Sequence, residues 1–140
     1  MPQWIFYALL AALFAGLTSV IAKQGLTGIT AELGLTVRTC FVFVFVLLFA
    51  AGFVSRPDFA GLNRSNLGWL GLSGITTAAS WVFYYKALKE GDVSTVALLD
   101  KGSFLVAVLL SWLILGEKIT ARTLLGGAFI ATGLWIVSRK

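Results

Sequence analysis

From residue 4 to residue 22 the chain runs 19 positions without a charged side chain, and four more apolar stretches of similar length follow. Residues 39–55 give 17, residues 65–85 give 21 and residues 123–138 give 16. Residues 93–116 give 24, interrupted only by Asp100 and Lys101. A helix that crosses a bilayer needs ~20 predominantly apolar residues, with a range of ~17–25. The last stretch is short, and snorkelling of Arg122 and Arg139 towards the headgroups closes the gap. The run at 41–46 alternates Phe and Val, which are strand-prone residues. A membrane β-barrel, however, alternates apolar with polar residues, and here both alternate positions are apolar. The first stretch does not read as a signal peptide: Met1-Pro2-Gln3 offers no basic region and no convincing small-x-small cleavage site follows. The sequence therefore predicts an all-α membrane protein, with five transmembrane helices at approximately 4–22, 35–55, 65–85, 93–116 and 122–138 in one domain over 1–140.

Composition agrees. Only 12% of the 140 residues are charged and 59% are hydrophobic, with a mean hydropathy of +0.93. Soluble domains carry ~25% charged residues, so a soluble monomer is excluded, and so is a disordered chain. With no His and the single Cys40, neither a disulfide framework nor a zinc or haem site is available; no cofactor or metal is expected. The net charge of +5 is scattered in ones and twos rather than clustered on one face, which argues against nucleic acid. Cys40 has no neighbouring base, Asp100-Lys101-Gly102-Ser103 lacks a phosphate-binding glycine loop, and Glu90 and Asp92 read as a solvated link. No enzyme is predicted.

The links are too short to fold separately, so consecutive helices run antiparallel. Five crossings place the termini on opposite sides. Orientation follows Lys and Arg in short cytoplasmic loops. Arg56, Arg64, Lys118 and Arg122 make four on the N-terminal side; Lys23, Lys86, Lys89, Arg139 and Lys140 make five on the other, or six with Arg38. So small a difference leaves two readings open, one fixed orientation or insertion both ways with antiparallel pairing.

Polar residues within the apolar runs mark candidate sites. Trp69, Ser73, Thr76, Thr77, Ser80 and Tyr84 share one helix face; they line a wet path or, alternatively, allow close packing and bond back to their own carbonyls. Asp100 and Lys101 are costly near the bilayer centre, between ~2.5 and ~17 kcal/mol by different measures, and intramembrane charges default to a functional hypothesis. Asp100 lies ~10 Å along its helix and shares a face with Ser103, Ala107 and Ser111. Lys101 is expected ~100° away, towards Leu105 and Trp112. A late helix start near Gly102 is the alternative, but it leaves too short a span. Gly127 with Ala131, followed by Gly133, gives small-residue spacing suited to close helix contact, a candidate dimer face.

Residues Tyr85-Lys86-Ala87-Leu88-Lys89-Glu90-Gly91, then Leu113-Ile114-Leu115-Gly116-Glu117-Lys118, then Leu125-Gly126-Gly127-Ala128-Phe129-Ile130-Ala131-Thr132-Gly133 together resemble the EamA domain of the drug/metabolite transporter superfamily. Phe14-Ala15-Gly16-Leu17-Thr18-Ser19, Lys23 and Arg38 fit the same domain. The chain departs from the commoner pattern at Ser103-Phe104, where many members have Ser-Pro, and its Asp-Lys pair resembles short single-domain members. The resemblance implies a multi-pass transporter of the bacterial cytoplasmic (inner) membrane. It also implies one repeat, half of a ten-helix inverted-repeat transporter, working as a homodimeric exporter of a small molecule. On that reading Asp100 is the coupling candidate, Lys101 and Arg38 are substrate or anion partners, and the hydroxyl stripe with Ser103 and Ser111 lines the path. The small multidrug resistance relatives carry an acid in the first helix; this chain has none there, so that coupling residue does not carry over. An accessory membrane subunit or a flippase for a lipid-linked group is the alternative.

Overall fold

A computed structural model describes residues 2–139; Met1 and Lys140, the latter counted above among the basic residues, lie outside the described residues. Seven helical segments occur among the described residues and no strand does: α1 (Gln3–Gly25), α2 (Ala31–Phe53), α3 (Arg56–Ala60), α4 (Arg64–Glu90), α5 (Val93–Asp100), α6 (Ser103–Leu115) and α7 (Ala121–Ser138). Four stretches are long and apolar enough to cross a membrane, namely α1, α2, Val93–Leu115 and α7. The fifth expected span is α4. It has the length, 27 residues, but its Ser, Thr, Asn and Gly residues dilute the apolar content. Phe41, Phe43, Phe45 and Leu48 along α2 are all exposed, as suits side chains solvated by lipid tails.

Two details depart from the sequence expectation. The link over 56–64 contains α3, entered through Pro57. There the Ser55 hydroxyl and backbone N–H both donate to Asp58 Oδ2 at 2.7 Å. These bonds hold the Asp58 carboxyl below the usual carboxylate range, so the turn stays capped by a charged group at neutral pH. The larger departure is in the fourth apolar run, which is two helices rather than one. Between α5 and α6 the backbone tightens: Lys101 N donates to Leu98 O at 3.0 Å and Gly102 N to Leu99 O at 2.9 Å. Phe104 and Leu105 continue the same i→i+3 pattern. Tighter, poorer hydrogen bonds of this kind mark a break or hinge, and Gly102 is the least helix-favouring residue inside the run, Gly116 standing at its end.

The chain divides into two compact units, Val20–Glu90 and the remainder. In Val20–Glu90, α2 packs on α4. Thr30 Oγ1 caps α2 by accepting from Leu33 N at 3.2 Å; Asn63 Oδ1 caps α4 by accepting from Asn66 N at 2.8 Å. The two caps take up N–H groups that a helix start leaves without partners. Leu26 and Leu88 fill the tightest part of this unit, 2% and 0% exposed, with Ala31 and Tyr85 also buried. Two lysines bind them in place. Lys23 Nζ donates to Leu88 O at 2.6 Å and to Lys89 O at 3.2 Å; Lys89 Nζ donates to Leu26 O at 2.8 Å. Each ammonium thus satisfies carbonyls at the other segment's end, and the cations at the C-terminus of α4 match its dipole.

In the second unit α7 packs against α5 and α6. Gly127 is buried there, and a Cβ at that position would sit 3.5 Å from Phe104 Cε1 and 3.8 Å from Leu105 Cδ2. Gly116, at φ 67°, caps α6 in the left-handed region that only glycine adopts without cost. Arg139 lies 3.6 Å from the Trp135 ring centroid, a cation and an amphipathic ring of the kind that anchors a helix end at the interface.

Gly34 on α2 faces Leu26, and an added Cβ would collide with Leu26 Cδ2. Alanine gains about 1 kcal/mol in helix propensity, whereas overpacking an enclosed site costs about 1–3 kcal/mol. Gly34→Ala should therefore lower the thermal midpoint in detergent, while Gly68→Ala, whose Cβ meets open space, should hold or raise it. A Gly34→Ala midpoint at or above wild type would mean that Leu26 yields freely.

Candidate functional site

Within Val20–Glu90 an open groove of about 540 Å³ runs between α2 and α4, lined among others by Leu35, Thr39, Leu70, Ser73, Thr77 and Trp81. Ser73 and Thr77 belong to the stripe singled out in the sequence. Trp69, Thr76, Ser80 and Tyr84 do not line this groove. The hydroxyls are committed locally. Thr77 Oγ1 donates to Ser73 O at 2.8 Å, Thr76 Oγ1 to Ser73 O at 2.9 Å, and Thr39 Oγ1 to Leu35 O at 2.8 Å. Such back-bonding is what a hydroxyl does when no water is at hand, and it leaves Thr39 and Thr77 only oxygen lone pairs to offer the groove.

Arg38 does not itself line this groove but lies against Trp81, which does. It sits on α2 between Leu35 and Thr39, and its guanidinium carbon lies 4.3 Å from the Trp81 ring centroid and 5.8 Å from that of Tyr85. Trp81 and Tyr85 are four residues apart on α4, so one helix face presents both rings. The side chain is half-buried, and Nη1 is enclosed with no hydrogen-bond acceptor among the described residues. Beyond it, towards the end of α4, Lys86 pairs with Glu32 at 3.5 Å. The sequence reading did not single out Trp81 and Thr39. The i, i+4 aromatic pair at 81 and 85 opposite a lone intramembrane arginine was the available signal.

The second groove lies in the other unit. It has a volume of about 770 Å³ and is lined by Leu98, Lys101, Ser103, Phe104, Phe129 and Gly133, among others. Lys101 Nζ approaches Asp100 Oδ2 to 3.4 Å. A continuous helix would hold these side chains on different faces; the tight turn at 101–102 instead lets the ammonium reach its neighbour. It also puts Lys101 in the groove with Ser103, where the sequence had placed it towards Leu105 and Trp112. Asp100 does not line the groove, and 38% of its side chain is exposed against 56% for Lys101. Ser111 Oγ donates to Val108 O at 3.0 Å. Gly127 contacts Phe104 within the chain, Ala131 is half-buried, and Gly133 opens onto the groove.

Several apolar helices long enough to cross a bilayer define an integral, multi-pass membrane protein. Over residues 2–139 the chain matches the EamA-like transporter family, and it belongs to that family. It is similar to the "Uncharacterized transporter in cobO 3'region" of a Sinorhizobium species, 38% identical over 138 residues, which cover 97% of this chain and 96% of the relative. It is also similar to an "Uncharacterized transporter" of Clostridium kluyveri, 32% identical over 133 residues; these cover 92% of this chain but 42% of that relative. No solved structure matches the chain.

The contact between Arg38 and Trp81 should be measurable as a coupling. Trp81→Leu should destabilise the wild-type protein, and should do so by about 1–2 kcal/mol less when Arg38 is already Leu, because cation–π attraction is of that size in a desolvated site. Equal effects in both backgrounds would reduce the contact to ordinary packing.

Proposed function

We propose that the protein is a small-molecule exporter of the bacterial inner membrane, whose working unit is a homodimer of five-span chains inserted in opposite orientations. One observation carries this reading. The same domain fills nearly the whole of the Sinorhizobium relative and only 42% of the Clostridium one. The larger relative has room for two such domains in one chain, and two separate copies of this chain would supply the same complement. Transporters built from inverted repeats place the substrate between two such halves. The near-balanced four-versus-five basic count suits insertion both ways.

On this reading α4 is the fifth crossing. At ~1.5 Å per residue its 27 residues extend ~40 Å, beyond the ~30 Å hydrocarbon layer, with Arg64 near one end and Lys86 and Lys89 near the other. Ser73 and Thr77 face the α2–α4 groove and Thr76 and Thr77 bond back to their own helix, which makes the polarity of α4 tolerable in lipid. Asp100 and Lys101 form the coupling element. They sit at a helix break, where transporters commonly gather ions, and Lys101 shares its groove with Ser103.

C-terminal reporters, one active in the cytoplasm and one outside it, should both give signal from the wild-type protein. Adding two or three Lys to the 56–64 link should silence one of them and reduce transport, and an oppositely biased copy should restore it. A reporter active on one side only would replace the antiparallel dimer with a fixed arrangement. Asp100→Asn should leave a folded dimer that cannot drive uphill flux, and adding Lys101→Gln should not help. Recovery of both yield and flux by the double variant would assign the pair to structure.

A further inference from the structure

Arg38 poses a problem of charge balance. A guanidinium stays protonated in proteins, and this one lies seven residues into an apolar span, ~10 Å from the start of α2. No carboxylate lies within ion-pair distance of it among the described residues: Glu32 is held by Lys86 at 3.5 Å, and Asp58 by Ser55. The rings of Trp81 and Tyr85 cover its faces, but an aromatic quadrupole offsets only part of the cost of taking a cation out of water. Aromatic faces also leave the in-plane N–H donors unanswered, and Nη1 has no acceptor. What satisfies a planar fork of donors is a planar or tetrahedral oxyanion.

The space beside it suits a ligand rather than a second side chain. The α2–α4 groove, at about 540 Å³, falls within the ~300–1,000 Å³ typical of small-molecule sites, and Trp81 forms part of its wall while stacking on Arg38. Leu35, Leu70 and Trp81 offer apolar surface. Thr39 and Thr77 have placed their protons on their own helix and no lining residue is charged, so Arg38, beside the groove behind Trp81, sets the sign of the charge that it accepts.

We propose that the α2–α4 groove binds a small organic anion, with its carboxylate or phosphate monoester on the Arg38 guanidinium and its apolar body along Leu35, Leu70 and Trp81. The inference rests on the transport reading and names the charge class of what is carried. A phospholipid phosphate shares the head chemistry. The depth of Arg38 within the span favours a free solute, because a lipid phosphate stays at the headgroup level.

The test is calorimetric titration of the purified protein in phosphatidylcholine nanodiscs with benzoate, alongside benzamide and benzylamine as neutral and cationic analogues of the same shape. Benzoate should bind and the other two should not. Arg38→Gln should weaken benzoate by about 10–100-fold, the range for a hydrogen bond to a charged group, and Arg38→Lys should lie between. Equal binding of benzoate and benzamide by the wild-type protein overturns the proposal, whether or not the variants fold. Loss of benzoate binding in discs containing phosphatidylglycerol, with Arg38-dependent thermal stabilisation by that lipid, overturns the solute assignment in favour of a lipid phosphate. Transport is read separately. Uphill export of a cation that survives Arg38→Gln would sink the anion site and leave the transporter intact. Benzoate binding with no flux of any solute would sink the transport reading and leave the site.

Discussion

Hydrocarbon offers no hydrogen bonds, and the arrangement of polar groups in this protein follows from that constraint. Thr18, Thr39, Thr77 and Thr132 each return a proton to a carbonyl one turn back. The last carbonyls of α4, which a helix end leaves without partners, are taken by Lys23, and Lys89 returns the favour at Leu26. Even at the break between α5 and α6 the N–H groups of Lys101, Gly102, Phe104 and Leu105 stay paired, exchanging i→i+4 bonds for i→i+3 bonds. Against this background Arg38 stands out, because its Nη1 is enclosed and without an acceptor.

The same constraint explains how much of the fold could be read in advance. Run length and flanking charge locate α1, α2 and α7 within a few residues, because each is built around a long uncharged segment, although α2 also takes in Glu32 and Arg38 and α7 takes in Arg122. They locate α4 too, but hydropathy understates it, since its Ser and Thr residues hide their polarity by bonding to their own backbone. A helix start near Gly102 is one of the two readings the sequence allows, and α6 does begin at Ser103, but α5 precedes it and supplies the rest of the span. One glycine inside a helix is tolerated, and side-chain periodicity carries no record of whether a carbonyl is taken three or four residues on. The tight turn there is also why Asp100 and Lys101, expected to diverge along one helix, instead meet.

Of the residues singled out in the sequence, Ser73 and Thr77 line one groove, Lys101 and Ser103 line the other, and Arg38 lies against Trp81. Trp81 was overlooked because an aromatic on an apolar helix reads as lipid-facing or core until the opposing residue is known, and that opposing residue belongs to α2, forty-three positions earlier. Gly127 illustrates the converse. Small-residue spacing announces a close contact but not with what, and here Phe104 of the same chain occupies it.

The exchange between Lys23 and Lys89 has a consequence in time. Lys23 and the carbonyl of Leu88 are 65 residues apart in the chain. At synthesis rates of about 5–20 residues per second, roughly 3–13 s separate the emergence of the ammonium from that of its acceptor. Throughout that interval the end of α1 and α2 are in place without the bond that closes the Val20–Glu90 unit, and Leu26 has no Leu88 to pack against. The first half of the chain is therefore provisional until residue 90 has been made, and a nascent chain stalled between α2 and α4 would present Lys23 and the turn after it to whatever insertion or quality-control machinery stands nearby.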